Sequence, residues 1–132
     1  MAPESFDRET FLRRHGADPG PVLVYDIASW LVVAANQAVS DVYGHPPEVL
    51  PTLTVLDFRA TSDIVRMASR IAAITRGIDV PDGLVWRHIR ADGAELLVRV
   101  HARTIDFEGS PARLVQTELL EPPPPWRNAP PA

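Results

Sequence analysis

The sequence predicts an α+β fold: a five-stranded antiparallel sheet with its helices gathered on one face, and a short helix before it. Three observations carry this. VLVYDI at 22–27 and LVVA at 31–34 are two β-branched runs separated only by a turn, the pattern of a hairpin. Between residues 61 and 76 apolar residues recur at spacings of three and four, the period of an amphipathic helix. Beyond residue 84, three strand-like runs are joined by Asp92-Gly93 and Glu108-Gly109, which makes a meander.

At 132 residues the chain suits one domain with a core of its own. Residues 5–15, SFDRETFLRRH, predict the N-terminal helix, with Ser5 as cap and Asp7 in the first turn where the helix dipole favours negative charge. Its apolar residues, Phe6, Phe11 and Leu12, are too few to stand alone and require a surface to pack on. ADPGP at 17–21 breaks the chain before the hairpin. Asn36 reads as the N-cap of a short helix over 37–43, which Gly44 closes. Single turns follow near 47–50 and 55–58. The best helix is 61–76, with Ile64, Met67, Ala68, Ile71 and Ile74 as its stripe, Thr61 or Ser62 as its cap and Gly77 at its end. Strands are expected at 84–90, 95–107 and 112–120. The tail EPPPPWRNAPPA, 121–132, predicts an extended or disordered segment, because proline cannot donate to a sheet.

Composition removes several function classes. There is no cysteine, so disulfides, thiolate metal sites and cysteine nucleophiles are excluded. Net charge is −4, which argues against nucleic acid as a partner. No apolar h-region or membrane-length stretch occurs, so a cytoplasmic location is the expectation. Every basic residue is arginine, and alanine and proline abound, a composition typical of high-GC bacterial genes. The serines lack the elbow motif and partners of a catalytic triad, no glycine-rich phosphate loop occurs, and His15, His45, His88 and His101 are scattered without metal-ligand spacing, so no enzyme is predicted.

The words VLVYDI, AANQAVSDVYGH, LTVLDF, WRHIRADGAELLVRV and EGSPARLV, in this order over residues 20–120, resemble the PAS domain, a small-molecule sensor module of bacterial signalling. The resemblance implies a PAS-like five-stranded sheet cupping a cavity under the helices, with residues 1–19 as an N-terminal cap. It names no cofactor. Flavin photosensor members use a cysteine that this chain lacks, haem-binding members use a histidine on the long helix that residues 61–76 lack, and Met67 on the apolar stripe reads as core. Kinase-driving members end in Asp-x-Thr and a continuous helix. Here Glu118-Leu119-Leu120-Glu121 and four prolines stand instead, so a stand-alone domain, or one with its output beyond a flexible linker, is expected.

In the family the Arg90–Gly93 turn carries a three-residue loop with a glycine bulge. That register turns Trp86, His88, Leu96, Val98, Val100 and Ala102 toward the helices and Arg87, Arg99 and Arg103 outward, which spares three unpaired charges from burial. By resemblance Tyr25 of the first strand, and Leu114, Gln116 and Glu118 of the last, also point inward. The expected ligand wall is therefore Tyr25, Trp86, His88, Val98, Val100 and Gln116. A few polar groups in an apolar cup describe either a small-molecule site or a core whose polar groups satisfy one another.

The outer face would then carry Val85, Ile89, Leu97, Ile105, Val115 and Leu119. That face is too apolar for solvent, and a homodimer using it with Phe6 and Phe11 is expected. The alternative is that the N-terminal helix folds back over its own sheet. Three functions compete: a sensor binding a small ligand and signalling to a second copy or a protein in trans, a ligand-free dimerisation or docking module, and, ranked last, an enzyme on a cone-shaped fold like ketosteroid isomerase.

Overall fold

The computed structural model describes residues 2–120, so the proline-rich tail lies outside the described residues. Its centre is β5 (Glu95–Phe107), a thirteen-residue strand. Strand β4 (Leu84–Ile89) pairs antiparallel with its first half, Ile89 opposite Glu95 and Leu84 opposite Val100. Strand β6 (Ser110–Leu119) pairs antiparallel with residues 98–107 of β5 and on its other side meets β2 (Val22–Asp26), which pairs with β3 (Val32–Ala35). These are the five expected antiparallel strands. A sixth, β1 (Ser5–Phe6), adds in parallel beside Asp106 and Phe107 of β5, so the sheet is mixed.

Two glycine turns at the ends of β5 set its registers with β4 and β6. At the first, Arg90 N–H donates to Ala94 O and Gly93 sits at φ 89°, the expected three-residue loop. The second is a two-residue turn in which both Glu108 (φ 50°) and Gly109 (φ 88°) are left-handed, as a type I′ hairpin requires. On this framework Trp86, His88, Leu96, Val98 and Val100 turn inward as predicted and are buried with Leu23, Tyr25 and Val115. The last strand differs from expectation by one residue. Val115, Thr117 and Leu119 lie opposite Ala102, Val100 and Val98 and so face inward, whereas Leu114, Gln116 and Glu118 lie opposite Arg103, His101 and Arg99 and face outward. The two-residue turn causes this, because a slip of one residue exchanges the two faces of a strand.

The helical layer closes the inner side. Helix α2 (Gln37–Tyr43) ends on Gly44 at φ 79°, as predicted. After it, 3-10 turns at Leu50–Thr52, Val55–Phe58 and Thr61–Asp63 lead into α3 (Ile64–Thr75), which buries Met67 and Ile71. The expected cap at Thr61 or Ser62 is not used; the Asp63 carboxylate instead accepts from Arg87 N–H at 2.7 Å and ties the helix start to β4. The connecting segment reaches both sheet edges. Val32 N–H donates to Leu53 O and Val55 N–H to Trp30 O at one edge, and Ala60 N–H donates to Arg87 O at the other. Both flanks of the cup thereby lose some of the unpaired backbone that an edge strand presents.

The outer face is covered in part by the chain itself. Helix α1 (Arg8–His15) starts later than predicted and is capped by Asp7, whose Oδ1 accepts from Thr10 N–H at 2.7 Å, because Ser5 and Phe6 are drawn into β1. Phe6 and Phe11 pack with Val22, Val24, Ala34, Ile105, Phe107, Ala112 and Leu114 in a second core. The helix therefore folds back on its own sheet, and Phe6, Phe11 and Ile105 are buried within the chain.

Asn36 holds the cap in place. It occupies the N-cap position of α2, but its side chain makes no bond to that helix. Its Oδ1 accepts from Val22 N–H, and its Nδ2 donates to His15 O and Gly20 O, all at 3.0 Å and largely buried. One side chain thus joins the end of α1, the 16–21 loop and the start of β2. Asn36→Ala leaves these groups unpaired and is expected to lower unfolding free energy by about 1–3 kcal/mol, read as a lower urea midpoint at unchanged m-value. Phe11→Ala, which empties a fully buried site, is expected to lower it by about 3–5 kcal/mol at any protein concentration. A loss that vanishes on dilution would instead place Phe11 between chains.

Candidate functional site

The inner side of the sheet holds a buried polar thread. Tyr43, carried to the end of α2, meets His88 of β4: its Oη lies 2.5 Å from His88 Nδ1. On the other side of the imidazole, Arg59 donates through Nη1 to His88 Nε2. Since a guanidinium has no acceptor, Nε2 must be the lone-pair nitrogen, and neutral His88 carries its proton on Nδ1 and donates it to Tyr43 Oη. Arg59 Nη2 also donates to Met67 Sδ at 3.4 Å, and its guanidinium lies 4.9 Å from the Trp86 ring centroid. Arg66 of α3 covers the same ring at 3.8 Å. Trp86 is thus held by cation–π contacts of the kind arginine favours.

The electrostatics are unusual for a core. Arg59 is only 4% exposed, yet its Nε has no partner and, among the described residues, no carboxylate lies within ion-pair distance of it. Burial draws its pKa down to about 10. Burial also raises the Tyr43 hydroxyl to about 12, and burial together with the Arg59 charge holds His88 well below the usual histidine range. A second cation, Arg113, stands inward on β6 between Thr104 and Tyr25 of the neighbouring strands. Its Nη1 donates to Thr104 Oγ1 at 3.2 Å, its Nε has no partner, and it is 8% exposed. Burial raises the Tyr25 hydroxyl, while the charges of Arg113, Arg59 and Arg70 act against that rise.

Of the residues predicted to form the ligand wall, Tyr25, Trp86, Val98 and Val100 are brought together in one cluster, and His88 is buried beside it against Tyr43. Gln116 is not. It faces the outer side, beside a cleft it shares with Asp82, His101 and Arg103. Of the residues predicted for a dimer face, Val115 and Leu119 belong to the inner cluster, and Phe6, Phe11 and Ile105 are spent on the chain's own outer core. Val85, Ile89 and Leu97 remain on the outer side, half-buried. Arg59, Tyr43 and Arg113 escaped the sequence reading. Arg113 was within reach of it, since the Glu108-Gly109 turn alone places residue 113 opposite 104. Arg59 was not, because its inward aim depends on the bridge between residues 59 and 88 across the sheet edge.

His88 makes the site pH-sensitive. Its folded pKa lies below the ordinary value of about 6.5, so under acid conditions the unfolded chain takes up a proton that the folded chain refuses. Stability is therefore kept above that value and lost as pH falls below it. His88→Gln should be less stable than the parent at pH 7.5, and the gap should narrow by up to about 1.4 kcal/mol per pH unit between pH 6 and 5, as measured by urea unfolding across that range. A constant gap would mean that His88 titrates normally.

No family model and no curated protein matches the sequence. Solved structures do. The PAS domain of a Desulfitobacterium hafniense protein superposes with a TM-score of 0.70 at 14% identity, covering 80% of this chain and 96% of that one. A domain of a sensory box sensor histidine kinase/response regulator from Geobacter sulfurreducens gives 0.66 at 13% identity, covering 82% and 90%. The Rhodobacter sphaeroides LOV protein gives 0.68 at 14% identity, covering 85% of this chain and 65% of that one. Strand order, the helical layer over the inner face and these superpositions agree, and the fold of this chain is the PAS fold.

Proposed function

We propose that this chain is a signal-sensing domain that binds a small molecule in its cup and passes the change on through the sheet. The observation that carries this is the positive charge inside that no ion pair neutralises: among the described residues Arg59 and Arg113 are buried without a carboxylate partner, an arrangement costly to stability unless something else uses it. Tyr25, Trp86, His88, Val98 and Val100 form the wall that such a ligand would press on. A ligand signals only by binding two states differently, and β4, which bears His88, is the strand whose far side, at Val85 and Ile89, α1 leaves open. The signalling protein that one similar structure comes from supports the same reading. The chain would act in the cytoplasm without chemistry of its own; among the described residues no helix is long and apolar enough to cross a membrane.

A second reading, a ligand-free dimerisation or docking module, is favoured by one feature. Val85, Ile89 and Leu97 form an apolar strip on the part of the outer face that α1 leaves open, and Leu120 beside Leu97 is exposed. This strip is where a second copy or a signalling protein in trans would dock.

Native mass spectrometry of the full chain separates the readings. The sensor predicts a retained non-covalent species lost on denaturation. A clean apo dimer that Leu97→Asp converts to monomer, with no retained species, would favour the docking module and sink the sensor.

A further inference from the structure

We propose that the open end of the cup receives a short-chain carboxylate, with Arg113 as the cation that binds it. The inference rests on the sensor reading and names the chemical class of its ligand. A cleft of about 190 Å³ opens between the end of α3 and the inner side of β5 and β6. Arg113 and Thr104 supply its polar floor, and Ile74, Ile78, Val80 and Ala102 its apolar walls. Arg113 is more than nine-tenths buried, and one of its donors, Nε, is unpaired. The Thr104 hydroxyl, by taking Nη1, fixes the plane of the guanidinium.

The surroundings add positive charge, which Asp82 offsets only in part at Arg70. Arg70 of α3 lies close enough to Arg113 that, after burial, the like charge of Arg113 is the next cause lowering its pKa. Among the described residues no carboxylate forms an ion pair with Arg70 or Arg113. Asp79 lines the same cleft at its exposed rim, without pairing with Arg113. A planar carboxylate matches the arginine fork, and the aliphatic walls accept a short carbon chain. The volume is below the range that drug-sized molecules need, so the ligand class is an acid of a few carbons.

The test titrates the full chain with propionate and butyrate, with propionamide and butyramide as neutral counterparts, and with inorganic phosphate, by calorimetry. The acids are expected to bind roughly 10- to 100-fold more tightly than the amides. Arg113→Met should abolish that preference with an unchanged circular dichroism spectrum. Asp79→Asn, at the solvated rim, should tighten acid binding severalfold, and it serves as the test if Arg113→Met does not fold. Equal binding of acid and amide, acid binding that Arg113→Met leaves intact, no effect of Asp79→Asn, or binding of phosphate alone each overturns the assignment. If the acids do not bind while native mass spectrometry still finds a retained neutral species, this inference fails and the sensor reading stands. If neither is seen, both fall.

Discussion

The two turns that bracket β5 are the constraint on which the rest depends. A strand has only two sides, so fixing the residue at each end fixes every side chain between. The three-residue loop at Ala91–Gly93 sends Trp86 and His88 of β4 to the same side as Leu96, Val98 and Val100 of β5. The left-handed pair Glu108-Gly109 then places Arg113, Val115 and Thr117 on that side too. The cup, its apolar wall and the strand-borne His88 and Arg113 are consequences of those turns.

What the turns deliver is a core that does not minimise its own energy. Tyr43, His88 and Arg59 satisfy one another in a line, and Trp86 and Met67 shield the guanidinium. Even so, Arg59 and Arg113 each keep an unpaired buried N–H, and among the described residues no acid forms an ion pair with either. Apolar residues of similar volume would be expected to fill such positions at equal or better stability. Local sacrifices of this kind cluster where a protein binds something.

The outer face divides the same sheet into two fates. Where Phe6 and Phe11 reach, it is an interior, sealed by the three hydrogen bonds of the Asn36 side chain. Where they stop, at Val85, Ile89 and Leu97, it is a half-open strip flanked by Arg87 and Arg99, which reach out to Glu95 and Glu118 in exposed pairs of small energetic weight. A cap so tied down leaves the strip, rather than the aromatic pair, as the surface available to a partner.

Much of this was legible in the residues alone. Alternation, the helical stripe of 61–76 and the glycine turns determined the element order, the fold class and the inward set from Trp86 to Val100, because each is a local property of period or turn chemistry. Tyr25 followed from the same resemblance that misplaced Gln116, and the difference between them is one residue of register at a two-residue turn. Tertiary structure alone decided three things: that the N-terminal helix covers its own sheet, that Asn36 serves a loop rather than a helix, and that Arg59 enters the core. Each depends on residues distant in sequence meeting across the sheet (Phe11 with Ile105, Asn36 with His15, Arg59 with His88), and no periodicity along the chain records such a meeting.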